Sequence, residues 1–127
     1  MIKVVCGIIY KNGKVFLCRR NPHKQLGGYW EFPGGKLELN ENPETALKRE
    51  LYEEISMFIK VLNHFATVIH KYDNFTIELT AYECKFIEAD FNLTDHDKYE
   101  WIDINQIINK KLAPADIPIV KKLMRTN

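Results

Sequence analysis

One segment constrains the fold more than any other: residues 42–58, where a well-marked helix start runs into an apolar stripe. Asn42 is a good N-cap, Pro43 suits the first helical position, and Glu44 complements the positive end of the helix dipole. Leu47, Leu51, Ile55 and Phe58 then recur at helical spacing and predict a buried face. Residues 59–72 and 75–87 have the opposite grain, being rich in β-branched and aromatic residues around Asp73-Asn74; they predict two strands of a hairpin. A second hairpin is predicted from residues 4–10 and 15–18, joined by Asn12-Gly13, a pair suited to the positive φ angles of a tight turn. Residues 21–28 read as a loop, 29–32 as a short strand, and Pro33-Gly34-Gly35 as strong punctuation. Residues 92–98 read as a polar loop, 100–104 as a short strand, and 117–125 as an amphipathic helix with Pro118 in its first turn. Few helices among many strands imply an α/β layered architecture.

The length of 127 residues suffices for one core and is too short for two, so a single domain over residues 1–127 is expected. No internal repeat or linker divides the chain. Eighteen Lys and Arg against seventeen Asp and Glu give a net charge of +1, which argues against a nucleic-acid polymer as partner but not against a small anion. Cys6, Cys18 and Cys84 are odd in number and form no CxxC pair, so a disulfide framework and a thiolate zinc site are not expected. The apolar run at residues 4–10 is far too short to span a membrane and follows no signal-peptide pattern; the expectation is a cytoplasmic protein with reduced thiols.

Glu50, Glu53 and Glu54 fall on one stripe of the expected helix, roughly 100° wide and flanking its apolar face. Like charges at i,i+3 and i,i+4 destabilise a helix by a few tenths of a kcal/mol per pair. Near the C-terminal end each also opposes the dipole, at roughly 0.3–1 kcal/mol. A divalent cation reverses both penalties, and this many hard oxygens suits Mg²⁺ or Mn²⁺ with substrate phosphates completing the shell. Beside Lys48 and Arg49, the same carboxylates can also be read as a solvated face.

The longer pattern resembles the Nudix box: Gly, five residues, Glu, seven residues, then Arg-Glu-apolar-x-Glu-Glu-x-Gly-apolar. Here it reads Gly35, Glu41, Arg49, Glu50, Leu51, Glu53, Glu54, Ser56 and Met57. With each charged type near 6% of an average composition, its five charged positions would match by chance on the order of 10⁻⁶ per register. Ser56 stands where the family has Gly, and a shifted helix end is the expected consequence. The resemblance spans nearly the whole chain and is specifically to MutT-like nucleoside triphosphate pyrophosphohydrolases, through Gly7-Ile8-Ile9, Arg19-Arg20, Glu31-Phe32-Pro33-Gly34-Gly35 and Glu100-Trp101. Residues 112–116, Leu-Ala-Pro-Ala-Asp, look like the CTP pyrophosphohydrolase branch.

That resemblance implies an α/β/α sandwich around a mixed sheet, the box forming a loop–helix–loop. It implies that Glu50, Glu53, Glu54 and the Gly34 carbonyl hold metal, Mg²⁺ or alternatively Mn²⁺, and that Arg49 and Glu41 form a supporting ion pair. Asp95, six residues before Trp101, matches a further acidic ligand or is a solvated loop residue. Arg20 and Lys36 are candidate phosphate or nucleotide contacts, with simple surface cations as the other reading. Asp116 matches a base-reading position, where an ionised carboxylate would accept from the cytosine amine; the other reading is a cap on the helix that follows. The implied activity is hydrolysis of CTP, dCTP or modified pyrimidine nucleotides to the monophosphate and pyrophosphate, with 8-oxo-dGTP secondary, as in nucleotide-pool sanitation and DNA repair. The catalytic carboxylates would then act through a metal-activated water, in a monomer or homodimer. An 8-oxo-dGTP-specific enzyme and a binding module without turnover are the alternatives.

Other chemistries lack a pattern. His23, His64, His70 and His96 show no HExxH spacing, and neither GxSxG nor the P-loop motif occurs. Tyr29, Trp30 and Phe75 are candidates for base stacking or ordinary core aromatics.

Overall fold

The computed structural model describes residues 1–126 and builds them around one mixed sheet. Strands β1 (Ile2–Lys11) and β2 (Lys14–Arg20) form the expected hairpin, with Asn12 and Gly13 at φ 51° and 77°. β3 (Trp30–Glu31) pairs with β2, and β4 (Gly34–Lys36) pairs antiparallel with β1, setting Gly34 opposite Cys6. After helix α1 (Pro43–Ile55) come β5 (Met57–Lys71) and β6 (Thr76–Ala89), an antiparallel pair. β6 lies parallel to β1 along nine residue pairs from Ile2↔Ile77 to Tyr10↔Lys85, and this makes the sheet mixed. β7 (His96–Ile102) pairs with β2 on the side opposite β3, and 3₁₀ turns at Ile104–Asn109 and Pro114–Asp116 lead into α2 (Ile117–Arg125).

The apolar run of β1 is continuous because both its faces are covered. Val5 and Ile9, with Phe16 and Cys18 of β2, pack against Leu47, Leu51 and Ile55 of α1. Cys6 and Ile8, with Val15 and Leu17, pack on the opposite face against Ile119, Val120 and Leu123 of α2. Full burial of each large aliphatic side chain is worth about 1.5–3 kcal/mol, so these stripes fix both helices to the sheet. The result is the expected α/β/α sandwich. Among the described residues, no helix is long and apolar enough to cross a membrane.

Four expectations are corrected. Phe58 does not belong to the helical stripe: α1 stops at Ile55, and Phe58 is half-exposed in β5 while Met57 is buried. The helix end is not shifted, because Ser56 itself takes the left-handed conformation (φ 56°, ψ 42°) and its N–H bonds back to Leu51 and Tyr52 carbonyls. Gly34 and Gly35 do not punctuate the chain but form strand β4, where a Cβ would strike β1 backbone at Gly34 and the Glu50 carboxyl group at Gly35. The polar loop ends sooner than read: His96, Asp97 and Lys98 already belong to β7, where Arg19 and Asp97 form a bidentate ion pair across the strands.

Candidate active site

α1 carries its carboxylates where the sequence placed them, and two loops meet them. Asn42 caps the helix by accepting from the Thr45 amide at 2.8 Å. Its first turn is anchored through Glu41, whose two oxygens take Nε and Nη2 of Arg49 at 2.7 and 2.9 Å. This pairing, helped by the Glu38 amide, holds the Glu41 carboxyl down at about 2, so the pair stays ionised across the working range. Arg49 Nη1 lies 3.0 Å from Glu50 and 3.4 Å from Glu53, and Nη2 donates to the Lys36 carbonyl at 3.2 Å. One guanidinium therefore ties the box loop, the helix and β4 together.

Glu50 lies against Gly35. A Cβ on Gly35 would overlap the Glu50 carboxyl group, so this glycine makes the space the carboxylate occupies. Glu53 is the most open of the three, its side chain 54% exposed. Glu54 is the most enclosed, and Asp95 reaches it because the loop before β7 docks on the end of α1: the Thr94 amide donates to the Glu54 carbonyl at 3.2 Å. Burial first, then the hydrogen bond and charge of Asp95 and the charges of Glu50 and Glu31, push the Glu54 carboxyl up to about 9. Burial likewise raises Glu50, against the pull of Arg49. Asp95 is lowered, first by Lys24, whose Nζ is 2.7 Å away, then by Glu54. Acids this crowded resist ionising together, and a cluster of hard oxygens with that property fits a divalent cation.

The substrate candidates gather elsewhere. Arg20, Lys36 and Asp116 all line a cavity of about 350 Å³ whose walls are largely apolar, including Phe32, Ile77 and Leu79. Gly34 and Gly35 line it too, so β4 separates the cavity from the carboxylates of α1 by one strand. Of the three aromatic stacking candidates only Phe75 lines it, joined by Tyr72 5.0 Å away; Tyr29 and Trp30 instead lie under the ammonium groups of Lys111 and Lys110.

Asp116 differs from expectation in two ways. It makes no cap bond to α2 but accepts from the buried Phe32 amide at 2.8 Å, pinning β3 to the turn before α2. Burial, then the charge of Glu31, raises its carboxyl well above the usual range. Its surroundings thus favour the protonated form, which donates as well as accepts, over the ionised acceptor expected from the sequence.

Sequence reasoning assigned no role to Glu31 or His96. Oε2 of Glu31 is 2.8 Å from Nε2 of buried His96 and 3.3 Å from Arg20, and Glu31 both lines the cavity and adds its charge to those that raise Glu54. The only signal in the sequence was Glu31 standing two residues before Pro33-Gly34-Gly35.

Comparison with known proteins gives the family. A model of the NUDIX domain matches residues 4–122. This chain belongs to the Nudix family. The CTP pyrophosphohydrolase of Escherichia coli (strain K12) is 33% identical to this Nudix hydrolase over 98% of the chain and 92% of the relative. The 8-oxo-dGTP diphosphatase of Haemophilus influenzae is 39% identical, with the same two shares covered. Among solved structures, the MutT protein of methicillin-resistant Staphylococcus aureus 252 is 40% identical, with a TM-score of 0.78 over 99% of this chain and 97% of that one. The relatives are named as enzymes, which favours a nucleotide hydrolase over a module that binds without turnover.

Proposed function

We propose that this Nudix hydrolase cleaves nucleoside triphosphates to the monophosphate and pyrophosphate, with Mg²⁺ as cofactor, Mn²⁺ as substitute, and cytosine nucleotides as first substrates. The observation that carries this reading is Gly35, which lines the base-sized cavity on one side and makes room for the Glu50 carboxylate on the other. A nucleotide with its base in the cavity would thus extend its phosphates past β4 towards the acidic face of α1. Glu50, Glu53, Glu54, Asp95 and the Gly34 carbonyl would hold the cation, an all-oxygen set that suits Mg²⁺ better than zinc. When bound, the cation neutralises the polyphosphate and makes a water acidic enough for in-line attack on phosphorus.

The remaining work belongs to the chain. Arg49 holds Glu50 in place through Nη1, and Glu50 or the open Glu53 takes the water's proton on a carboxylate oxygen. Glu41 keeps Arg49 from turning into solvent. Arg20 and Lys36 offer cationic contacts to the phosphates, and the apolar cavity walls exclude water from the base. Asp116, when protonated, would offer a donor and an acceptor together. Cytosine presents its N3 acceptor beside its N4 amine, and 8-oxoguanine its O6 beside a protonated N7, so both match. Unmodified guanine presents two acceptors there and matches poorly. This supports cytosine nucleotides, with 8-oxo-dGTP second, a role in clearing the nucleotide pool and a cytoplasmic setting that keeps the cysteines reduced.

The test is pyrophosphate release from CTP, dCTP, 5-substituted dCTP, dGTP and 8-oxo-dGTP, with Mg²⁺ and with chelator. Release from CTP or dCTP at the highest kcat/KM, lost on chelation, is expected. Glu53→Gln should lower kcat by at least about 10²-fold while the fold is kept. A preference for 8-oxo-dGTP would favour the second reading, which the Haemophilus influenzae relative supports. Full activity of Glu53→Gln would sink its catalytic assignment.

A further inference from the structure

Three strands that are scattered in sequence bring a thiol, an imidazole and a carboxylate to one place. β2 and β3 pair Cys18 with Glu31, and β7 sets His96 opposite Arg20, two residues along from Cys18 on the same strand. One donor atom from each of Cys18, Glu31 and His96 lies within 4.8 Å of the other two. We propose that these three residues form a second cation site, distinct from the acidic face of α1, for a thiophilic divalent metal of the zinc class.

The chemistry of the donors is the first argument. A sulfur, a nitrogen and one carboxylate oxygen make a mixed set that zinc, cobalt or nickel accepts, whereas Mg²⁺ favours oxygen alone. The second is the buried imidazole. His96 Nε2, 2.8 Å from Glu31 Oε2, is the ring nitrogen that faces Glu31, and a metal here would take Nε2 in place of that hydrogen bond. Nδ1 is buried with no hydrogen-bond partner among the described residues, so the contact that a metal would replace is the one that holds the ring. Glu31 meets both His96 and Arg20 through Oε2, so Oε1 is the oxygen on offer. Cys18 makes only a long contact of 3.6 Å to the Glu31 carbonyl, a weak bond for a metal to replace.

Typical bonds of about 2.0–2.3 Å to zinc put tetrahedral donors roughly 3.3–3.7 Å apart, so the three need to close by about 1 Å. Side-chain rotation supplies that movement without breaking strand pairing. As the metal–sulfur bond forms, the thiol proton leaves to solvent, and water fills the fourth position. The cation then competes with Arg20 for Glu31, and Arg20 lines the nucleotide cavity.

The probe is Co²⁺, added to metal-free full-length protein without nucleotide, so the result does not depend on the proposed hydrolysis. A near-ultraviolet thiolate-to-cobalt charge-transfer band with tetrahedral visible bands is expected, and excess Mg²⁺ should not erase it. Cys18→Ala should lose the band and keep Mg²⁺-supported turnover. His96→Gln, read in parallel in case Cys18→Ala fails to fold, should weaken Co²⁺ binding by at least about tenfold. In turnover at saturating Mg²⁺, Zn²⁺ should raise KM in the wild type and not in Cys18→Ala. No charge-transfer band with excess Co²⁺, or a band that survives in Cys18→Ala, would overturn the site. An equal rise in KM in both proteins would assign zinc inhibition to the α1 carboxylates and overturn the link to Arg20.

Discussion

The two glycines of β4 differ only in what a methyl group would strike, and that difference separates stability from activity. At Gly34 a Cβ would overlap the Val5 carbonyl, a backbone atom that cannot yield without parting β4 from β1. At Gly35 it would overlap the Glu50 carboxyl group, the end of a side chain that can swing away. Gly35→Ala should therefore lower kcat/KM by about 10²-fold with a modest loss of Tm, as expected for a displaced catalytic group. Gly34→Ala should cost several degrees of Tm before activity is considered; calorimetry beside kinetics checks both, and similar profiles would refute the distinction. Asp116 gives a second test at this scale. If it works as a neutral acid, Asp116→Asn keeps the acceptor for the Phe32 amide and should preserve both stability and the ranking of nucleotides. Asp116→Ala leaves that buried N–H unmet, at about 1–3 kcal/mol, and should flatten the ranking. An Asn variant with a reversed ranking would mean the wild-type group is ionised. The sequence singled out Asp116 but not its charge state, because protonation follows from burial and from the proximity of Glu31, and neither is local.

At the scale of elements, α1 was the most readable part of the chain because its cap, its stripe and its charged face all point the same way. Its end was not, since Phe58 falls at helical spacing from Ile55 whether or not the helix continues. Ser56 decides the matter: its left-handed backbone turns the chain into β5, with Met57 rather than Phe58 facing the core. A non-glycine residue there bears strain of about 1 kcal/mol, so Ser56→Gly should stabilise the protein by about that amount with activity retained. Chemical denaturation measures it, and a clear loss of stability would refute the left-handed assignment. β4 was hidden for a related reason. Gly-Gly reads as a turn by composition, and only the nearness of β1 and Glu50 shows why a strand there has no side chains. β7 was misread at its start because Arg19 and Asp97 satisfy each other across strands, which makes a paired edge look like a polar loop.

The whole molecule joins two halves of a site across β4, and their joint electrostatics govern its stability. A layered architecture was legible in the few helices among many strands and the sandwich in the family resemblance, and the apolar run of β1 is covered on both faces accordingly. The contacts between Glu54 and Asp95, and between Glu31 and His96, were not legible, since each joins residues at least 40 positions apart through loop docking and strand order. Those contacts set the pH response. Glu54 has a folded value of about 9, against about 4.3 in an unfolded chain, and Glu50 and Asp116 are raised as well. Between those two values the folded protein binds more protons than the unfolded one, so stability is fully present below about pH 4.3 for these groups and falls as pH rises towards 9. Glu41, Asp95 and Asp97 are lowered, so their contribution is lost only at more acidic pH, below about 4. Metal-free protein should therefore melt at a higher temperature near pH 5.5 than near pH 8.5, a window lying between the two values for Glu54. Glu54→Gln should reduce that slope but not abolish it, because Asp116 and Glu50 retain theirs. Mg²⁺ binds ionised carboxylates, so its stabilising effect should be larger at the alkaline end, where it also reverses the repulsion. Melting curves in chelator and in Mg²⁺ across that window read all three effects. A Tm that rises with pH in chelator would show that the acids of α1 are ionised without a cation, and the crowding that favours a cation there would have to be abandoned.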